Sequence, residues 1–248
     1  MEDWPALTRW SVEYFAEKLG PDPVPVGILP KPEDIRDMPD SFPWLHMSSK
    51  RFTMAEFVER LASPECHRYY ITAMSLNKNL PDLMEDLTPP EVLEDVASGP
   101  VSPRLWFGKQ VLGPLHYDTI NNLHGIVVGS KRFIFAGPDQ TRHVYARRAF
   151  EGLPHMSRAS LREMDEQRFP RLRRVKAQDF SAEAGEIVFI PRGWWHEVIT
   201  PDTTISVDFP WAGPRSLDWM FLRLLPSQLN SRIRRGRRSR RPAITERA

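Results

Sequence analysis

Cysteine is nearly absent from this chain, which has one, Cys66, among 248 residues. A single cysteine excludes an internal disulfide, and we expect a reducing compartment, the cytoplasm. The first four residues, Met-Glu-Asp-Trp, are acidic and lack an apolar core segment, so the sequence predicts no secretory signal. No apolar run approaches the ~18 residues of a membrane-spanning helix, and we therefore expect no membrane partner.

What the chain does contain is consistent with one sizeable core. Hydrophobic residues make up 41% of the 248, and barrels of this length are commonly single domains. Proline is frequent, with 24 residues, which favours loops and short strands over long helices.

Two short segments carry the candidate chemistry. His116 and Asp118 are two residues apart, so on an extended strand both side chains leave the same face. His196 would complete a set of two histidines and one carboxylate, which leaves one side of a metal open and is typical of non-heme Fe(II) oxygenases. The triplet alone is a weak signal, because roughly 0.9 His-x-Asp/Glu triplets are expected by chance at this composition.

The residues around both segments predict β-strands. Residues 126–135 indicate a strand, a tight turn at Gly129-Ser130 and a second strand. Residues 187–190 are apolar, and Pro191-Arg192-Gly193 interrupts that strand just before Trp194. We therefore expect both ligand segments at strand edges, where a barrel mouth could bring them together.

With these segments in place, the sequence resembles the JmjC-type, cupin-like family of Fe(II)- and 2-oxoglutarate-dependent oxygenases, especially its small asparaginyl-hydroxylase-like branch. The resemblance covers about residues 4–213 and implies a mainly β fold with flanking helices, the double-stranded β-helix or jelly roll. Its motifs are Trp4-Pro5-Ala6, Trp10-Ser11, Tyr14-Phe15, Phe52-Thr53-Met54, Phe57, Tyr69-Tyr70, Leu115-His116-Tyr117-Asp118, Asn122, Gly129-Ser130-Lys131-Arg132, Asp165, Phe169-Pro170, Gly185, Phe189-Ile190-Pro191, Gly193-Trp194-Trp195-His196 and Ser206-Val207-Asp208-Phe209.

The resemblance also implies roles for particular residues. The iron ligands would be His116, Asp118 and His196, with 2-oxoglutarate and O2 taking the remaining positions. The distal carboxylate of 2-oxoglutarate would meet Lys131, helped by Tyr70 and Asn122. A dianionic cosubstrate needs a buried cation, and lysine supplies a compact charge on a long stem. Tyr69 and Tyr70 point in different directions, and Tyr70 is chosen by its position in the family.

The other histidines and tryptophans receive simpler interpretations. His124 lies eight residues after His116 and could share its face on a regular strand, but the turn signal at Asn121-Asn122 makes that inference unsafe. It is taken as structural or pocket-lining. The remaining side chains are assigned to the surface, the core or the pocket wall: His46, His67, His143, His155, Trp194 and Trp195.

Three positions depart from the family pattern. Gly113 stands where many relatives carry a Thr or Ser whose hydroxyl binds the cosubstrate, so one contact is missing. Asp208 replaces a frequent Asn and would place a second anion near the ligand carboxylate unless it is protonated or paired. Pro210 replaces a frequent aromatic residue. These changes predict a reshaped pocket on the substrate side.

Outside the ligand segments, periodicity gives a coarse map of the oxygenase domain, residues 1–213. A first helix is expected in residues 5–20 and a second in 53–62, capped by Thr53 with Glu56. Strands are expected to dominate from about 101 to 213. The charged segment 137–183 interrupts them and is expected to cap the barrel mouth.

Two further segments follow the domain. Residues 214–230 have an apolar helical face that could mediate a homodimer, as C-terminal helices do in relatives, or pack on its own barrel. Residues 231–248 are expected to form a basic, disordered tail. They contain eight arginines and one glutamate, a charge of +7, whereas the net charge of the whole chain is +2. Such a tail could hold a nucleic acid or an acidic partner, or simply be solvated.

Three classes of function remain open. The first is a 2-oxoglutarate-dependent dioxygenase that hydroxylates a protein or peptide side chain, with succinate and CO2 as coproducts. The second is the same chemistry on a small molecule or a tRNA base, or N-demethylation through hydroxylation of a methyl group. The third is a non-catalytic cupin-like binding module, against which the intact ligand set and Lys131 argue.

Overall fold

The computed structural model of the chain describes residues 1–18, 21–31, 34, 43–148 and 153–212. Its α-helices are α1 Ala6–Arg9, α2 Val12–Lys18, α3 Met54–Leu61, α4 Leu76–Asn79 and α5 Val92–Val96. Short 3-10 helices span Pro43–His46, Cys66–Arg68, Pro81–Asp86, Pro138–Arg142 and Pro170–Arg174. The strands are β1 Val24–Ile28, β2 Ser48–Phe52, β3 Tyr69–Ser75, β4 Arg104–Gly108, β5 Leu112–Tyr117, β6 Asn121–Val128, β7 Ser130–Ala136, β8 Ala177–Glu183, β9 Ile187–Ile190, β10 Trp195–Ile199 and β11 Thr204–Trp211.

The strands form two antiparallel sheets that face each other. The larger sheet has the order β2-β1-β3-β4-β11-β6-β9, and the smaller has the order β5-β10-β7-β8. From β4 onward the chain passes back and forth between the sheets, so that four strands of each build a jelly roll. The expected mainly β fold, a double-stranded β-helix of the cupin type, is confirmed.

Alternation along the strands separates an apolar outer face from a polar inner face. In β6, Leu123 and Val127 join the large outer core, whereas Asn122 and His124 are buried between the sheets. The outer core is covered by the N-terminal helices, whose buried side chains include Trp10 and Phe15. Both faces of the central strands are therefore buried, and the inner face holds the polar groups.

Gly129 makes the tight turn that joins β6 to β7. Its φ of 76° lies in the left-handed region, which side chains with a Cβ rarely adopt. The carbonyl of Thr203 also packs against this position and leaves no room for a Cβ. The predicted strand, turn and strand are confirmed, and the turn directs the next inner-face residue, Lys131, between the sheets.

The N-terminal helices partly differ from expectation. The helix predicted for residues 5–20 is broken into α1 and α2, because Trp10 is extended and the Ser11 hydroxyl accepts a hydrogen bond from the Tyr14 N–H at 3.1 Å. The second helix is confirmed, with a capping box in which Thr53 and Glu56 bond reciprocally. Strands β1 to β3 precede the region where strands were expected.

The segment predicted to cap the barrel mouth lies mainly elsewhere. Buried side chains of its described part, Val144, Leu161 and Leu172 among them, pack with Leu115 and Trp195 on the outer face of the smaller sheet. That placement follows from the apolar outer face of the sheet, which the insert covers.

Backbone and carboxylate hydrogen bonds tie this insert to the sheet. The Tyr117 N–H donates to the His155 carbonyl at 3.0 Å, and the Ser157 N–H donates to the Leu115 carbonyl at 2.8 Å. Buried Glu197 of β10 accepts from the Ser160 hydroxyl and the Leu161 N–H, each at 2.7 Å. Residues 155–157 thus extend the sheet beside β5.

Some expectations lie outside the described residues. The apolar segment 214–230, with its two alternative roles, and the basic tail 231–248 belong to this group. Among the residues that are described, no helix is long and apolar enough to cross a membrane.

Replacing Asp86 with alanine tests how the N-terminal helices are attached. The buried carboxylate accepts from the Trp10 indole at 2.8 Å and the Arg9 guanidinium at 2.6 Å. Asp86→Ala leaves the buried Trp10 N–H unpaired, and we expect a loss of about 3 kcal/mol in the free energy of unfolding, measured with urea. Arg9→Ala is the control, because the Arg9 side chain is 60% exposed and should contribute less than about 1 kcal/mol. Equal losses in the two variants would contradict this account.

Candidate active site

The three expected ligands meet between the sheets. Strands β5 and β10 pair so that His116 lies directly opposite His196, with ring centroids 4.2 Å apart. Asp118 follows β5, and its carboxylate oxygens lie 4.0 Å from His116 Nε2 and 3.9 Å from His196 Nε2. One donor atom from each residue lies within 4.8 Å of the others, a spacing that fits a single metal ion.

Hydrogen bonds orient both imidazoles toward the metal position. His116 Nδ1 is 2.6 Å from the Pro114 carbonyl, and His196 Nδ1 is 3.0 Å from the Trp194 carbonyl. Because a carbonyl only accepts, each Nδ1 carries the proton and each Nε2 keeps its lone pair for a metal. Each acceptor is the carbonyl two residues before the histidine, so the strand backbone itself sets the tautomer.

The turn before β10 positions the carboxylate ligand. The Gly193 N–H donates to the Asp118 carbonyl at 2.8 Å, and the Arg192 N–H donates to Asn121 Oδ1 at 3.0 Å. Gly193 has a φ of 81°, which favours glycine at this point. These two hydrogen bonds hold the residues that follow β5 against the turn before β10, at the strand break predicted for residues 191–193.

Burial lowers the pKa of two histidines at the site. Burial, reinforced by His116, lowers the pKa of His196 to about 4. Burial and His116 likewise lower the pKa of His155 to about 4. The sequence had assigned His155 to the surface or core, and the insert places it within electrostatic reach of the ligands. At neutral pH the His196 imidazole can therefore accept a metal without first losing a proton.

Lys131 is a buried cation on the inner face of β7. It is 1% exposed, and its Nζ lies 3.3 Å from the Tyr70 hydroxyl and 3.3 Å from His124 Nε2. Burial lowers the pKa of Lys131 to about 7, opposed by the charge of Asp208. Tyr70 faces this lysine, whereas Tyr69 packs against Phe52 on the other side. The structure therefore brings together two of the three expected cosubstrate contacts.

Asn122, the third expected contact, faces the same interior but is partly engaged. Its Nδ2 donates to Asp208 Oδ2 at 2.7 Å, while its buried Oδ1 has no hydrogen-bond partner among the described residues. The buried indole Nε1 of Trp106 likewise has none. An unpaired buried donor and acceptor near a lysine fit a pocket that takes a polar ligand such as 2-oxoglutarate. Trp106, which the sequence did not single out, is thus a candidate pocket residue.

Asp208 is paired rather than left as a second free anion. Its fully buried carboxylate accepts two hydrogen bonds from Arg104, with Nε at 2.8 Å and Nη2 at 2.5 Å, and a third from Asn122. Of the two possibilities that the sequence left open for Asp208, the structure has the paired one. Arg104 was not foreseen, because it lies 104 residues away in the chain.

The other departures also have places in the fold. A register shift between β5 and β10 sets Gly113 opposite Val198, where an added Cβ would lie 3.5 Å from the valine Cβ. That is an ordinary contact, so the hydroxyl of a Ser or Thr is missing here although space for its Cβ exists. Pro210 pairs with Asn122 in the register of β11 and β6. His46, His67 and His143 contribute no donor atom to the ligand group.

Comparison with known proteins agrees with this geometry. A family model described as the cupin-like domain matches residues 1–215. Lysine-specific demethylase 8 of Xenopus tropicalis is 27% identical over 218 residues, covering 86% of this chain and 46% of that protein. The human bifunctional peptidase and (3S)-lysyl hydroxylase JMJD7 is 24% identical, covering 92% of this chain and 79% of that protein.

A third relative carries a name that concerns tRNA. The tRNA wybutosine-synthesizing protein 5 of Danio rerio is 24% identical, covering 84% of this chain and 65% of that protein. The chain spans about half the length of the Xenopus relative, 46%, and of the Jumonji C domain-containing protein 5 of Drosophila melanogaster, 52%. JmjC enzymes use Fe(II), 2-oxoglutarate and O2, and His116, Asp118 and His196 could hold the metal. With its fold, its ligand geometry and a match over residues 1–215, the chain belongs to the cupin-like, JmjC-type family of 2-oxoglutarate oxygenases.

Proposed function

We propose that this chain is an Fe(II)- and 2-oxoglutarate-dependent dioxygenase that hydroxylates a C–H bond of a protein or peptide side chain. The observation that carries the proposal is the set of His116, Asp118 and His196 on the same interior as buried Lys131. One feature supplies a metal position and the other a cation for the far carboxylate of a 2-oxo diacid. An interior with a structural role alone would favour neither a cluster of metal ligands nor a buried cation.

The residues divide the work between metal and cosubstrate. His116, Asp118 and His196 would hold Fe(II), with both imidazoles oriented by backbone carbonyls at Nδ1. Lys131 pairs with the distal carboxylate, and Tyr70 keeps its phenolic proton to donate to the same group, since burial and Asp208 raise its pKa. Asn122 and Trp106 contribute the polar edge of the pocket.

Bound iron would supply the oxidation itself. The chemistry supplied there would be decarboxylation of 2-oxoglutarate to succinate and CO2, coupled to insertion of one oxygen atom of O2 into the substrate C–H bond. The protein fixes the coordination geometry, pairs the buried charges and limits the access of water. The aromatic and apolar residues around the inner face serve the last purpose, Phe133 and Phe135 among them.

The relatives' names support a protein substrate but leave another choice open. Two of them act, by their names, on lysine, one as a demethylase and the other as a (3S)-lysyl hydroxylase. The name of the third concerns wybutosine in tRNA, which keeps a nucleic-acid base as an alternative. Hydroxylation of an N-methyl group would lead to demethylation by the same step. The non-catalytic module is disfavoured by the complete ligand set.

Removing one ligand residue should strongly weaken metal binding. We expect His116→Ala and Asp118→Ala each to weaken Co(II) binding, used as an optical probe for Fe(II), by more than about 100-fold. His67→Ala is the matched control, because this exposed histidine lies outside the ligand group. Equal affinities in all four proteins would contradict the metal assignment.

The reaction itself is tested with anaerobically loaded Fe(II) protein exposed to O2 and 2-oxoglutarate with candidate peptides. We expect succinate release by the wild type and background release by His116→Ala and Lys131→Met. Mass spectrometry of the peptides distinguishes a gain of one oxygen atom from the loss of a methyl group. If the protein binds the metal but releases no succinate with peptide, tRNA or metabolite substrates, the enzymatic proposal is contradicted.

The affinity for 2-oxoglutarate should fall as pH rises above about 7. In the free protein Lys131 loses its proton as pH passes a pKa of about 7, whereas the bound dianion requires the charged form. We therefore expect Kd to rise by up to about tenfold per pH unit above 7, with proton uptake on binding. Calorimetry of the Mn(II) protein measures both, and Lys131→Arg should show no such slope. A wild-type Kd that stays constant from neutral to mildly alkaline pH would contradict this assignment of Lys131.

A further inference from the structure

His124 is the buried histidine of the inner face that the metal site does not use. It lies on β6, is 5% exposed, and contributes no donor atom to the ligand group. Its ring lies between aromatic neighbours, with centroids 6.1 Å from Trp106 and 6.0 Å from Phe133. Within the described part of the chain, its side-chain hydrogen-bond partners are Lys131 and Ser206.

Those two contacts converge on one nitrogen. His124 Nε2 is 3.3 Å from Lys131 Nζ and 3.0 Å from Ser206 Oγ. An ammonium group only donates, so a charged Lys131 requires an unprotonated Nε2 and places the imidazole proton on Nδ1. Burial, with Lys131 close by, holds the pKa of His124 well below its usual range, so the ring is a neutral acceptor.

The lysine has few other acceptors. Tyr70 Oη takes one N–H at 3.3 Å, His124 can take a second, and the third remains for a ligand. Within the described part of the chain, no carboxylate lies within ion-pairing distance of Lys131, since Asp208 is held by Arg104. The direction of the ammonium therefore depends on two neutral groups, on β3 and β6.

We propose that His124 is a positioning residue for the cosubstrate: its Nε2 holds the Lys131 ammonium where the far carboxylate of 2-oxoglutarate binds. This inference rests on the proposed function. The groups that face the pair are Tyr70 of β3, Trp106 and Arg104 of β4, and Ser206 and Asp208 of β11. Of these groups, only Tyr70 joins His124 in hydrogen-bond contact with the Lys131 ammonium.

Two ligands distinguish a positioning role of His124 from a general contribution of His124 to packing. 2-Oxoglutarate uses both the metal and Lys131, whereas oxalate chelates the metal but has no far carboxylate. In Mn(II)-loaded protein, we expect His124→Leu to weaken 2-oxoglutarate binding about tenfold by calorimetry, because a buried N–H of Lys131 loses its acceptor. Oxalate affinity should not change. His124→Gln, which keeps an acceptor oxygen, should recover most of the loss.

The outcomes distinguish the inference from the function on which it rests. Unchanged 2-oxoglutarate affinity in His124→Leu, or equal weakening of both ligands, would overturn the role of His124 alone. A wild type that binds oxalate but not 2-oxoglutarate would overturn the cosubstrate assignment and this inference together.

A measurement on the wild type covers the case in which His124→Leu does not fold. Nitrogen-15 NMR of the imidazole distinguishes a protonated from an unprotonated Nε2. We expect unprotonated Nε2 in the complex with Mg(II), as a diamagnetic metal, and 2-oxoglutarate. A proton on Nε2 in that complex would exclude a hydrogen bond from Lys131 and overturn the inference.

Discussion

The antiparallel pairing of β5 with β10 is the constraint on which the site depends. It sets His116 opposite His196 between the sheets, and each strand backbone accepts the Nδ1–H of its own histidine. The turn before β10 then holds the Asp118 carbonyl through the Gly193 N–H. The spacing of the candidate ligands therefore follows from main-chain geometry that the outer-face residues Tyr117 and Trp195 anchor in a core. A shift of β10 by one residue would turn His196 out of the interior.

A second constraint is electrostatic. The inner face holds two carboxylates, Asp118 and Asp208, and two cations, Arg104 and Lys131, so their formal charges cancel when all are ionised; Asp208 and Lys131 are the buried members. Arg104 and Asp208 neutralise each other directly, which leaves Asp118 for a metal and Lys131 for an anion. A divalent metal and a dianionic cosubstrate add equal and opposite charge. The interior can therefore accept both without a net buried charge, although neither alone would be balanced.

Features that depend on neighbouring residues could be predicted from the sequence, whereas contacts between distant residues could not. The i, i+2 spacing of His116 and Asp118, the Gly129 turn and the Thr53 capping box depend on a few neighbouring residues, and all are visible in sequence. The Arg104–Asp208 pair joins β4 to β11, and nothing local marks either residue as the partner of the other. The break after α1 was missed because the apolar pattern continues through Trp10, whose indole is held by Asp86 from far along the chain. Neither the register of β5 with β10 nor the pocket position of Trp106 could be read from periodicity.

The insert is joined to the strands of the site at two points. It joins β5 through backbone hydrogen bonds at residues 155 and 157, and these do not depend on which side chains stand there. Glu197 anchors a second point of the insert from β10, next in sequence to the ligand His196. The insert also brings His155 within electrostatic reach of His116 and Asp118. The attachment of the insert is therefore separate from the side chains of the ligand group.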